Sequence, residues 1–317
     1  VKMLEYKNGD TMPFIGLGTW KAAPGDVYKA VKEALKIGYR HLDCAPIYGN
    51  EAEIGRAIKE SVEEGLVTRD QLWVTSKLWN DAHAPADVQP ALEKTLADLQ
   101  LDYLDLFLIH WPIAHKKGVL FPEAPTGFLS PDELPVAETW KAMEQLVDQG
   151  LCKHIGVSNF SVKKLKALLE VARIKPEMNQ VELHPYLQQQ GMLDFCASQG
   201  VSLTAYSPLG SMDRPAELKT SDEPILLEDK TIQDVASRLG VTPAQVLISW
   251  AIQRGTVVIP KSSHPERLQQ NLDAAGVRLN DADMQAIGTL DKHRRYVSGS
   301  FWQIPGGPYT LSNLWDE

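Results

Sequence analysis

Cysteine is scarce in this chain: Cys44, Cys152 and Cys196 are the only three in 317 residues, and none stands in a CxxC or Cys/His spacing. So few and so scattered, they exclude a disulfide framework and point to a reducing cytoplasm. The histidines form no ligand pattern either. Among His41, His83, His115, His154 and His293 there is nothing like HExxH, and His184 reads as a loop brace, so no metal is expected. Long apolar runs are also missing. No uncharged stretch approaches the roughly 20 residues of a membrane helix, and the opening Val1-Lys2-Met3-Leu4-Glu5 holds no apolar signal core, so a soluble, non-exported protein is expected. Positive charge is in deficit, with 32 Lys and Arg against 41 Asp and Glu and a net charge of −9. That balance argues against nucleic acid or an anionic membrane surface as partner. An anionic ligand has to be held by a few placed cations. Finally, Gly16-Leu17-Gly18-Thr19-Trp20-Lys21 fails the GxGxxG spacing because Lys21 occupies the third glycine position, and no other stretch repairs it. A Rossmann unit is therefore not expected.

What the chain does have is alternation. Its hydrophobic content of 44% and charged content of 23% are those of a globular protein, and its length suits one barrel-sized domain of roughly 250 residues or more. A single domain over 1–317 is expected. Residues 4–15 read as a hairpin turned at Asn8-Gly9-Asp10, a cap on the front of the domain. Strands are expected at Ile15–Thr19, Tyr39–Asp43, Leu72–Lys77, Leu104–His110, His154–Ser158, Glu177–Gln180, Val201–Tyr206 and Thr256–Ile259. Helical segments lie between them. Ser161 stands as a cap before Leu165, Leu168, Leu169 and Ala172, and Thr242-Pro243 as a cap followed by a first-turn proline. Eight repeats of strand and helix within one domain length favour a (β/α)8 TIM barrel over an open doubly wound sheet. Three segments are too long for simple connections: 111–135, 207–229 and 291–317. Two follow strands and one is the tail, so all three are expected to fold over the carboxyl face as pocket walls.

Three of the apolar runs end on an ionisable residue, at Asp43, Lys77 and His110, with Tyr48 shortly after the first. Barrel enzymes gather their chemistry at such strand exits. A free phenol, with a pKa of about 10, is a sluggish acid at neutral pH, so Tyr48 needs a neighbour that favours the phenolate. Lys77 supplies that charge, Asp43 holds the ammonium, and His110 donates to or orients a substrate oxygen. Each residue taken singly has a duller explanation as cap, surface lysine, packed aromatic or strand histidine. Their joint placement is what carries weight. No nucleophile or metal cage accompanies them, which points to cofactor chemistry.

The segments Leu42-Asp43-Cys44-Ala45-Pro46-Ile47-Tyr48-Gly49-Asn50-Glu51, Thr75-Ser76-Lys77-Leu78-Trp79 and Leu108-Ile109-His110-Trp111-Pro112 resemble the signatures of the aldo-keto reductases. The resemblance extends to Gly16–Trp20, Ile155–Phe160, Asn179–Pro185, Tyr206–Gly210 and Ile259–Ser262. It implies a monomeric (β/α)8 barrel that reduces aldehydes or ketones with NADPH, with Asp43, Tyr48, Lys77 and His110 at the catalytic positions. The stretch Ile259 to Asn271 adds a helix start near Pro265 flanked by Lys261, Ser262 and Arg267, which suits the 2′-phosphate of NADPH over NADH. By resemblance, Gln270 and Asn271 meet the adenine, Ser158, Asn159 and Gln180 the nicotinamide amide, and Tyr206 stacks under its ring. Ser207, Leu209 and Ser211 line the pyrophosphate, and Thr19, Trp20 and Asp43 also border the cofactor. Trp20, Trp79 and Trp111, with Phe121 and Trp302 from the long loops, form an apolar wall suited to aryl or medium-chain aldehydes. Two other functions stay open on sequence: a Schiff-base aldolase using Lys77, and a non-catalytic NADPH-binding or structural member of the family.

Overall fold

Two short antiparallel strands open the chain, β1 (Met3–Glu5) and β2 (Thr11–Pro13), in a computed structural model that describes residues 2–317. Gly9 turns the hairpin at φ 92°, a conformation that costs glycine little. Tyr6 packs on Trp73 at 5.0 Å and on His154 at 4.4 Å between ring centroids. The Asp10 carboxylate meets His154 Nε2 at 2.7 Å. These partners stand at the starts of barrel strands, so the hairpin plugs the amino-terminal end, away from the strand exits.

Each of the eight expected strands is present: β3 (Leu17–Gly18), β4 (His41–Asp43), β5 (Trp73–Leu78) and β6 (Leu104–Ile109) come first. A small ribbon, β7 (Ala114–His115) with β8 (Phe128–Leu129), interrupts the series before β9 (Cys152–Ser158), β10 (Met178–Glu182), β11 (Ser202–Tyr206) and β12 (Val257–Val258). Apart from the ribbon these strands pair in parallel in chain order from β3 to β12. Closure comes from the stretch before β3. Gly16 N–H donates to Val258 O at 2.9 Å, Val258 N–H to Phe14 O at 2.8 Å and Gly18 N–H to Pro260 O at 3.1 Å. Here the glycines of the failed dinucleotide motif find their use. A Cβ on Gly18 would stand 2.6 Å from Ile259 O, so glycine there lets the first strand meet the last, and one on Gly16 would stand 2.6 Å from the His41 ring of β4, so glycine there makes room for that ring.

The outer layer is formed by α1 (Asp26–Ile37), α2 (Glu51–Glu63), α3 (Pro85–Leu99), α4 (Val136–Asp148), α5 (Val162–Val171), α6 (Gln190–Gln199), α7 (Lys230–Leu239), α8 (Pro243–Gln253) and α9 (Pro265–Asp273). Two further helices, α10 (Asp281–Gly288) and α11 (Leu311–Trp315), close the chain. The expected caps form: Ser161 Oγ accepts from Lys164 N–H, and Thr242 and Gln245 make a reciprocal capping box before α8. Burying Leu165 and Leu168 on α5 stabilises the helix against the barrel by about 1.5–3 kcal/mol per side chain. All three long segments fold over the strand exits, as their position in the chain implies. No helix among the described residues is long and apolar enough to cross a membrane.

Candidate active site

Strand alternation decides which side chains meet. Lys77 points inward from β5, while its neighbour Ser76 points outward and donates to Glu51 at 2.7 Å. The Lys77 ammonium is fully buried and uses its three protons on Asp43 Oδ2 at 2.8 Å, Cys44 O at 2.9 Å and Tyr48 Oη at 3.3 Å. A short turn, Pro46–Tyr48, ends on Gly49 at φ 71° and brings the Tyr48 ring back over the exit of β4. His110 follows β6 directly, its ring edge-on to Tyr48 at 5.9 Å and to Trp79 at 5.1 Å.

Behind this group runs a chain of fixed hydrogen bonds. Asp43 Oδ1 accepts from Gln180 Nε2 at 2.8 Å, and Asp43 O from Thr19 Oγ1 at 2.6 Å. Ser158 Oγ donates to Gln180 O at 2.8 Å. Asn159, held at φ 62°, donates to His110 O at 3.0 Å and accepts from Tyr206 Oη at 2.7 Å. These bonds hold the Asn159 amide at the cleft with an acceptor site on Oδ1 to spare, and the Gln180 side-chain oxygen is likewise left to offer.

The electrostatics depart from the sequence expectation at one point. Burial pushes the Tyr48 phenol up, Lys77 pulls it down, and the balance stands at about 12. The expected net acidification is absent because desolvation outweighs the ammonium. For Lys77 burial works downwards, but Asp43 and Tyr48 more than offset it and hold its pKa above the ordinary lysine value. Burial, reinforced by Lys77, drops His110 well below the ordinary histidine value, so the ring is neutral at pH 7. Its Nδ1 is buried without a partner.

One cleft of about 1330 Å³ takes in the residues chosen from sequence. Its aromatic end is walled by Trp20, Trp79, Trp111, Phe121 and Trp302. Asp43, Tyr48 and His110 form its floor, with Thr19, Ser158, Asn159, Gln180 and Tyr206 beside them. Ser207, Leu209 and Ser211 line the middle, and Lys261, Ser262, Arg267, Gln270 and Asn271 the far end. Only Lys77 does not line it, because it is sealed beneath Tyr48 and Asp43. That burial also removes the Schiff-base alternative, since an ammonium saturated by three acceptors has neither access nor a free lone pair.

Sequence reasoning missed a bridge over the cleft. Lys21 Nζ contacts Asp213 at 2.6 Å and Ser211 Oγ at 2.8 Å, and Asp213 reaches Lys261 at 3.3 Å. Lys21 was visible only as the residue that spoiled a glycine motif, and Asp213 lies in a loop without periodicity. Ile47, Val297 and Phe301 also line the aromatic end unannounced. Four residues bordering the cleft, Lys21, Asn159, Ser207 and Ser211, hold positive φ without being glycine, a kind of backbone strain that clusters at functional sites.

The geometry has counterparts among known proteins. The family model "Aldo/keto reductase family" matches residues 14–292. An aldo/keto reductase of Synechocystis sp. is 58% identical over 317 residues, covering 100% of this chain and 97% of that protein. Aldo-keto reductase family 1 member A1 of Gallus gallus is 51% identical over 92% of this chain and 89% of its own length. The structure of the aldose reductase from Schistosoma japonicum superposes with a TM-score of 0.87 at 41% identity, covering 95% of this chain and 96% of that one. A fold closed at Gly16–Gly18, a buried Asp43–Lys77 pair under Tyr48, and a family match over most of the length agree: the chain belongs to the aldo/keto reductase family.

Proposed function

We propose that the protein reduces aldehydes, and some ketones, to alcohols with NADPH, Tyr48 donating the proton to the carbonyl oxygen. The observation that carries this reading is the Lys77–Tyr48 hydrogen bond of 3.3 Å. Because Tyr48 Oη accepts from Lys77, its own proton is free to face the cleft, and the raised pKa keeps that proton in place in the resting protein. When bound, the dihydronicotinamide supplies the hydride. Neutral His110 orients the carbonyl oxygen through a ring N–H, and Lys77 favours the phenolate that Tyr48 becomes after donation. Trp79, Trp111 and Trp302 exclude water and present apolar surface to an aryl or medium-chain substrate.

The residues present suit the dinucleotide. His264 gives no side-chain oxygen to the first-turn N–H groups of α9, leaving them for a phosphate, and Lys261 and Arg267 stand at that end of the cleft. Glu266, the one acid in that turn, does not line the cleft. Lys261, Ser262 and Arg267 would hold the 2′-phosphate, and Gln270 and Asn271 the adenine. Ser207, Leu209 and Ser211 would hold the pyrophosphate under the Lys21–Asp213 bridge. Ser158, Asn159 and Gln180 would hold the carboxamide, and Tyr206 the ring face. A monomer would suffice for this chemistry, since every residue assigned to cofactor and substrate comes from one chain, and the scarcity of cysteine suits the cytoplasm.

The test is NADPH consumption across short aliphatic, aromatic and dicarbonyl aldehydes, with NADH in parallel. The reading predicts turnover of several aldehydes and a preference for NADPH. Tight NADPH binding without turnover of any would instead support a non-catalytic role.

A further inference from the structure

We propose that Glu182 is a positioning residue that shapes the substrate end of the cleft by clamping the main chain of the carboxy-terminal tail. This rests on the carbonyl-reductase reading and goes beyond the residues that border the cleft. Glu182 ends β10, directly across from Tyr206 in the sheet register, and is almost wholly buried. Its carboxylate meets three donors. Oε2 accepts from His184 Nε2 at 2.7 Å and from Tyr296 N–H at 2.8 Å, and Oε1 accepts from Val297 N–H at 2.9 Å.

Those two amides belong to the segment that finishes the pocket. The tail crosses the barrel mouth with Lys292 and Arg294 N–H on Tyr186 O, is taken up by Glu182 at 296–297, and then turns at Ser300–Trp302. Phe301 and Trp302 line the cleft from that turn, and Val297 from the clamped stretch just before it. From the other side Trp315 Nε1 donates to Ser298 O at 2.7 Å. Tyr296 also reaches the 207–229 loop, its hydroxyl on Pro224 O and its ring 5.1 Å from the Arg214 guanidinium. One buried carboxylate thus sets the register at which the tail presents two aromatic rings to the substrate.

A carboxylate is required for this. It offers acceptor sites on both oxygens, whereas a carboxamide of the same shape turns one of them into an NH2 that faces a donor. Charge-assisted bonds of this kind are also the shorter and stronger class. Glu182 touches no atom of the Asp43, Tyr48, Lys77 and His110 group among the hydrogen bonds of the site, so its loss should act through the tail.

The test uses the full chain with E182Q and the milder H184N, which withdraws the brace but leaves the carboxylate. Amide exchange at 296–297 is followed beside steady-state kinetics with a bulky aromatic aldehyde and with propanal, which is too short to lean on the tail. Expected for E182Q is exchange at least about tenfold faster at 296–297 with barrel strands unchanged. KM for the aromatic aldehyde should rise about tenfold with kcat within about twofold, and propanal should hardly change. H184N should move in the same direction by less, and carries the test if E182Q does not fold. Unchanged exchange at 296–297, or equal losses of kcat/KM for both aldehydes, would overturn the proposal. If the wild-type protein reduced neither aldehyde, the carbonyl-reductase reading would fall while the exchange measurement still decided the clamp.

Discussion

Lys77 Nζ stands 3.3 Å from Tyr48 Oη, and yet the phenol is harder to ionise than free tyrosine, because burial outweighs the neighbouring charge. Under the proposed mechanism the pair serves the moment when a proton leaves and not a phenolate at rest. Lys77 has its other protons on Asp43 and Cys44 and stays charged throughout.

A flat pH profile follows. With Tyr48 proposed as the donor, reduction requires it protonated, and a pKa raised to about 12 keeps it so through neutral and mildly basic pH. His110, lowered well below the ordinary histidine value, stays neutral above the acid range and contributes no titration near pH 6.5. The kcat/KM for aldehyde reduction is expected to hold constant within about twofold between roughly pH 6 and 9. A limb with an apparent pKa near 6.5 that vanishes in H110Q would show that His110 titrates in the working range.

The Asp43–Lys77 pair should also matter for stability, because both charges are buried. D43N keeps the shape and an acceptor oxygen for Gln180 but leaves a buried ammonium without its anion. A loss of about 3–5 kcal/mol in unfolding free energy is expected, measured by denaturant titration. The D43N/K77M double variant, with both charges gone, should be more stable than D43N alone. Additive losses in that cycle would mean the two charges do not interact.

Cofactor preference should reside at the start of α9. Replacing Lys261 and Arg267 together by alanine is expected to weaken NADPH binding about 10- to 100-fold for each charge-assisted contact removed, and NADH binding far less. Fluorescence titration of both dinucleotides reads this directly. Equal losses for the two would place the 2′-phosphate elsewhere.

Much of this was legible in the sequence, for physical reasons that can be named. β4, β5 and β6 are apolar runs ending at or beside Asp43, Lys77 and His110, and the alternation of a strand then fixes that these side chains face one mouth. The helix starts at Ser161 and Thr242 carried their own capping chemistry. What escaped depends on partners without a local signal. The Tyr48 pKa is a contest between burial and charge, and sequence shows only the charge. The Lys21–Asp213 bridge joins residues 192 positions apart, through a loop with no periodicity. Besides the nearby His184, the partners of Glu182 are backbone amides 114 and 115 residues away, which any sequence would possess.

The most direct measurement is NADPH oxidation by the Tyr48→Phe variant with one aromatic aldehyde, beside its NADPH dissociation constant. The ring and its packing remain while the proton is gone, so turnover should fall by at least about 10²- to 10⁴-fold with NADPH affinity nearly unchanged. A variant that still oxidised NADPH at close to the wild-type rate would contradict Tyr48 as the proton donor.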